Sequence, residues 1–171
     1  MAVNLSTLQF EQPSLVNTVL NCLALHHVPP EMLILEVTET TAMSNPDESV
    51  RVLTELTEAG VKASIDDFGT GYSSLLYLKR LPACELKIDR AFVKELSGES
   101  EDATIVSAIV ALAKTLNLKV VAEGVETEAQ QAFLTELGCN TLQGYLLGKP
   151  VSAQTIEALC ARGEMLPGAG L

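Results

Sequence analysis

An α/β fold, and within that class an incomplete TIM-like (β/α) barrel of about six βα units, is what this sequence predicts. Two observations carry the prediction. Short β-branched or apolar runs alternate six times with longer amphipathic stretches, the pattern of parallel βα units. Each short run also carries an ionisable or amide residue near its end, and carboxyl ends of strands are where (β/α) barrels build their sites. A doubly wound open sheet would gather its ligand groups at one switch point, so contributions from every unit favour the barrel. Eight units usually take about 250 residues, whereas this chain has 171 and shows six.

The elements follow in order. "AVNLS" at 2–6 is the first predicted strand and holds Asn4, and a helix is expected near 13–26. "LILEVTE" at 33–39 is the second, with Glu36 and Glu39 three apart and therefore on opposite sides of an extended strand. The helix near 47–59 starts at Asp47 after Pro46 and stops at Gly60. "VKASID" at 61–66 leads into Asp66 and Asp67, and a helix follows near 73–80. "CELKID" at 84–89 sets Lys87 and Asp89 two apart on one face, before a long helix near 101–116. "LKVVAEG" at 118–124 ends on Glu123, and the next helix, 127–137, opens with Thr127 and Gln130 in capping-box spacing and stops at Gly138. "TLQGYLL" at 141–147 carries Gln143, and the last helix is expected near 152–161. Residues 1–163 form one predicted domain, and 164–171, ending in "LPGAGL", a flexible tail.

Composition narrows the function. A net charge of −11 argues against DNA or RNA as a partner, because non-specific nucleic-acid binding needs a basic footprint. Cys22, Cys84, Cys139 and Cys160 are scattered without a CxxC pair, which fits reduced thiols in the cytoplasm better than disulfides or a zinc site. No signal peptide or membrane-length apolar run is visible, so a cytoplasmic chain is expected. His26 and His27, in the helix-end loop "ALHHVPP", read as surface residues.

The chemistry concentrates around "ASIDDFGTGYSS" at 63–74. Adjacent carboxylates repel, so Asp66 and Asp67 mark either an acidic turn or a cation site. With Asn4, Glu36 and Glu123 they make an all-oxygen donor set, suited to Mg²⁺ or Mn²⁺ rather than zinc. A bridging aspartate between two ions about 3.5–4 Å apart is a device of phosphodiester hydrolysis. Lys87 would hold an attacking water or stabilise phosphate charge, and Phe68, Gly69, Thr70 and Gly71 would form a lip beside the metals. Each residue also has an ordinary structural reading. Asp-Asp-Phe-Gly suits a strand-end turn, Lys87 with Asp89 an ion pair, Glu123 a helix start, and Asn4 a turn or cap.

The combination is more specific than its members. "AVNLS", "LILEVTE", "ASIDDFGTGYSSLLYLKRLP", "LKIDRAFV", "VVAEGVET" and "LQGYLLGKP" run in an order and spacing that resemble the EAL family of cyclic di-GMP phosphodiesterases. The resemblance implies hydrolysis of cyclic di-GMP to linear pGpG at two Mg²⁺ or Mn²⁺ ions in a modified (β/α)8 barrel. The units seen here would correspond to strands 3–8 of that barrel. By motif position, Asn4, Glu36 and Asp66 would ligate one ion, with Asp66 shared with a second ion that Asp67 also serves. Lys87 would orient the water held by the metals, Asp89 would support the lysine, and Glu123 would act near the second metal. Glu39 would steady the "DDFGTGYSS" loop, and Gln143 would be a lesser polar member.

One departure stands out: no Glu-Ala-Leu occupies an early strand, and "EALC" at 157–160 falls in the last predicted helix. The expectation is an N-terminally truncated domain that lacks one metal-ligand glutamate and is weak or inactive alone. A non-catalytic remnant that binds cyclic di-GMP or a protein is the alternative. Open barrel edges or the "DDFGTGYSS" region would favour a homo-oligomer, or a partner that supplies the missing strands.

Overall fold

Parallel strands pair in strict chain order, each separated from the next by helical turns. The computed structural model describes residues 1–71, 75–96 and 100–163. Tyr72, Ser73 and Ser74 of the predicted loop and the predicted tail, 164–171, lie outside the described residues. Among those described, β1 (Ala2–Leu5), β2 (Ile34–Thr38), β3 (Lys62–Phe68), β4 (Glu85–Ile88), β5 (Lys119–Glu123) and β6 (Thr141–Gln143) form one sheet in the order β1-β2-β3-β4-β5-β6. All five pairings are parallel. The sheet is a half-barrel of the TIM type, with β1 and β6 as its outer strands.

The helices are α1 (Thr7–Phe10), α2 (Leu15–Leu25), α3 (Glu39–Ser44), α4 (Pro46–Glu58), α5 (Leu75–Leu78), α6 (Arg90–Lys94), α7 (Glu101–Thr115), α8 (Glu128–Leu137) and α9 (Ala153–Arg162), with a 3₁₀ turn at Pro30–Met32. Their starts follow local chemistry. Pro46 opens α4, where its missing N–H costs nothing, and Asp47 and Glu48 meet the positive end of the helix dipole. Thr127 and Gln130 close a reciprocal capping box on α8, which ends at Gly138 in the left-handed region (φ +85°).

Alternation along the strands builds the core. Leu35, Val37, Ala63, Ile65, Leu86, Ile88, Val120 and Ala122, none more than 2% exposed, form one apolar cluster with Leu53 and Leu56 of α4, Val106 and Val110 of α7 and Leu134 of α8. Each large side chain so buried contributes about 1.5–3 kcal/mol.

The structure departs from the sequence reading at three kinds of place. Helices α1, α3 and α6 were not expected, since four to six residues are too few to show a helical period. Each is set by a capping residue at the end of a strand or directly after it: Ser6, Thr38 and Asp89 accept a backbone N–H through their side chains. Strand β2 stops at Thr38, so Glu39 opens α3 instead of ending a strand. Strand β6 covers only Thr141–Gln143, not 141–147. Beyond it the chain folds over Val125, which donates its N–H to Gln143 and accepts one from Leu146. A Cβ at Gly144 would stand 2.1 Å from the Val125 carbonyl oxygen, so this crossing requires glycine.

Candidate metal centre

Two neighbouring strand residues ordinarily point to opposite faces, which would send Asp66 and Asp67 apart. A bulge in β3 removes that conflict. Between the pairs Ile65–Leu86 and Phe68–Ile88 the bulged strand advances three residues against two on β4. Asp67 takes up the extra residue in a left-handed conformation (φ +53°), which aspartate tolerates better than most side chains. Its N–H donates to Asp66 Oδ1 at 3.0 Å. Ile65 and Phe68 therefore both enter the apolar core, while the two aspartates between them join one cluster. Asp66, Asp67 and Glu123 each offer a carboxylate oxygen within 4.8 Å of the others.

Lys87 sits among the acids. Its Nζ lies 2.7 Å from Glu123 Oε1, 3.0 Å from Glu36 Oε1 and 3.1 Å from Asp66 Oδ1, with the side chain almost wholly buried. Burial disfavours the ammonium, but hydrogen bonds to Glu123 and Glu36 and the charge of Asp66 outweigh it, and Lys87 is held above the ordinary lysine range. One ammonium facing three carboxylates leaves excess negative charge, and Asp67 adds to it. Burial first, then a hydrogen bond with Asp89 and the charges of Asp66, Asp89 and Glu123, push the Asp67 carboxyl up to about 6. A partly buried, all-oxygen, net-negative cluster fits a hard divalent cation, which would satisfy these carboxylates together.

The remaining predicted residues occupy distinct positions around this cluster. Asn4 stands in register with Glu36 but is exposed on the outer strand β1. Gln143 pairs in register with Glu123 on β6 and is also exposed. Asp89 is not an ion-pair partner of Lys87: its Oδ1 accepts the Ala91 N–H at 2.7 Å, capping α6, and its carboxyl meets that of Asp67. Glu39, 2% exposed, accepts the Gly69 N–H on Oε2 at 2.8 Å, and Oε1 lies 3.0 Å from where a Cβ of Gly71 would stand. Gly69 itself needs its freedom, with φ +101° and the Phe92 ring 2.8 Å from an added Cβ. Thr70 hooks its hydroxyl back to the Asp67 carbonyl at 2.8 Å, and Phe68 is buried in the core.

Sequence reasoning passed over Thr38 and Ser64, which line the same strands. Thr38 stands in register with Asp66, caps α3 and donates to Thr41, whose hydroxyl lies 2.7 Å from that of Thr7. Counting in steps of two from Glu36 and from Asp66 would have found both residues.

A parallel half-barrel with an acidic cluster at the carboxyl ends of its strands, arranged so that it could hold a cation, defines the class: a (β/α)-barrel domain with a candidate metal centre. Residues 1–150 match the EAL domain family, and the chain belongs to it. It is 65% identical over 161 residues to the bifunctional diguanylate cyclase/cyclic di-GMP phosphodiesterase MucR of Pseudomonas aeruginosa, covering 94% of this chain and 24% of that protein. Among solved structures, the PaMucR phosphodiesterase in complex with c-di-GMP superimposes with a TM-score of 0.88 at 66% identity, over 91% of this chain and 63% of the other. The EAL domain of Mycobacterium smegmatis DcpA gives a TM-score of 0.89 at 40% identity, over 97% of this chain and 74% of the other. The chain thus spans about a quarter of the length of that MucR protein.

Proposed function

We propose that this chain carries the metal-binding half-barrel of a cyclic di-GMP phosphodiesterase, which hydrolyses the cyclic dinucleotide to linear pGpG with Mg²⁺ or Mn²⁺. The observation that carries the reading is the convergence of Asp66, Asp67 and Glu123 beside a buried Lys87. Similarity to a phosphodiesterase solved with c-di-GMP supports the substrate.

Asp66, Asp67 and Glu123 would hold one cation, and Glu36 and Asn4 would extend the donor set through Asp66 to another. Bound divalent cations supply activation of the attacking water and compensation of charge on the phosphate. Lys87, its ammonium favoured by its carboxylate neighbours, would donate hydrogen bonds from Nζ, to the carboxylates without substrate and to water or phosphate oxygen with it. Glu123 Oε1 is the acceptor nearest that ammonium and would orient the water. Asp89 would hold Asp67, and Glu39 would hold the turn at Gly69–Gly71 that borders the centre.

No helix among the described residues is long and apolar enough to cross a membrane. The four free cysteines support work in a reducing compartment, the cytoplasm. The outer edges of β1 and β6, unpaired among the described residues, favour further strands or a second copy beside them; light scattering would report the second copy as association.

Calorimetry with Mn²⁺ and cyclic di-GMP, followed by product analysis, tests the reading. Mn²⁺-dependent binding and slow formation of pGpG are expected, both lost in Asp66→Ala. Turnover is expected to be weak while the sheet stays open at both edges. Binding without any product would move the chain to a receptor role. Absence of Mn²⁺-dependent binding and turnover, or an Asp66→Ala chain that behaves like the unsubstituted one, would overturn the proposal.

A further inference from the structure

Two buried side-chain groups lack a hydrogen-bond partner among the described residues: the hydroxyls of Ser49 and Ser64. A buried hydroxyl without a partner forfeits its hydration, and native folds keep few of them. Ser49 lies on α4, within a helix that packs against the apolar side of the fold. Ser64 has a different setting. It is fully buried on β3, in register between Glu36 of β2 and Glu85 of β4. Asp66 follows two residues later, on the same side of the strand. Without metal, Glu36 Oε1 and Asp66 Oδ1 are both turned to Lys87, at 3.0 and 3.1 Å, and neither serves the serine.

We infer that Ser64 is a positioning residue of the metal centre, its hydroxyl reserved for the carboxylate of Glu36 or Asp66 when a divalent cation competes with Lys87 for their oxygens. The inference rests on the metal centre proposed above. Serine suits the role because it is small enough for the crowded middle strand and carries one freely rotating donor. The hydroxyl then costs stability without metal and adds order with it. Removing it should therefore act with opposite signs on the two states, which a purely structural residue would not do.

The test compares Ser64→Ala with Ser49→Ala in this chain, measuring thermal stability without metal and Mn²⁺ affinity by calorimetry. Both variants are expected to melt at or above the unsubstituted temperature in the absence of metal. Ser64→Ala should bind Mn²⁺ about tenfold more weakly, the scale found for groups that orient metal ligands, while Ser49→Ala should bind it unchanged. Unchanged Mn²⁺ affinity in Ser64→Ala would overturn the inference, and so would a lower melting temperature without metal. Failure of the unsubstituted chain to bind Mn²⁺ would instead remove the metal centre itself, a separate result.

Discussion

Strand β3 shows two faces of one segment with opposite duties. Ala63, Ile65 and Phe68 enter the apolar core under the helices, whereas Ser64, Asp66 and Asp67 belong to the charged side with Glu36, Lys87 and Glu123. The first set contributes stability through area removed from water. The second brings like charges together, held by one ammonium. A helix-covered face can be repacked within limits of volume, but the opposite face depends on a charge balance that a single substitution upsets. Cohesion and chemistry thus sit back to back on the same backbone, a few ångströms apart.

The largest expected effect would blur that division. Lys87→Met leaves Glu36, Asp66 and Glu123 crowded without a cation, and breaking a buried ion pair by removing one partner costs about 3–5 kcal/mol. Urea denaturation without metal should show a loss of that order, part of it recovered by saturating Mn²⁺. A loss well under about 1 kcal/mol would mean that the charged face adds no cohesion. Leu86→Ala, on the other face, should cost about 2–5 kcal/mol yet leave the Mn²⁺ affinity of the folded fraction unchanged. A parallel loss of metal affinity would show that the two faces are coupled through the strand.

Smaller effects sharpen the boundary. Glu39→Ala removes the carboxylate that receives the Gly69 N–H and should cost about 1–3 kcal/mol, with faster amide hydrogen exchange at Gly69 read by NMR. Protection that stayed unchanged would place the anchor of that turn elsewhere. The smallest effect is a pH dependence of two signs. Asp67 has its carboxyl raised from 3.8 to about 6, so the metal-free fold binds this proton more tightly than the unfolded chain. Its contribution to stability is fully present below the unfolded value near 4 and is lost as pH rises through about 6. Mn²⁺ must displace the same proton, so metal affinity should fall, by up to about tenfold per pH unit, below pH about 6. Calorimetric titrations between these limits check both directions, and a metal affinity flat across the range would exclude Asp67 as a ligand.

Much of the fold was legible because its signals are local. Short β-branched or apolar runs marked every strand, and Pro46, Thr127 with Gln130, and Gly138 marked helix limits that the structure reproduces. The short helices were not legible from periodicity, although Ser6 with Gln9 is a capping box that could have announced α1. Within the candidate site, the strand-end positions of Glu36, Asp66, Lys87 and Glu123 could be read directly. The bulge that turns Asp67 to the same side as Asp66 could not, since nothing in "SIDDF" separates a bulged strand from a regular one. Asp89 shows the same limit: spacing linked it to Lys87, but helix α6 begins there and turns its carboxyl to the Ala91 N–H and to Asp67.

By itself, the sequence determined the parallel α/β architecture, the order of its units and the oxygen-rich chemistry carried at the strand ends, because periodicity, capping and donor type are properties of neighbouring residues. Only the tertiary structure decided which of those groups meet. Strand register brought Lys87 within 3.1 Å of acids from three different strands, and one left-handed residue, Asp67, aligned two adjacent carboxylates. Both depend on distances across strands, and a linear chain does not carry those until the sheet has formed.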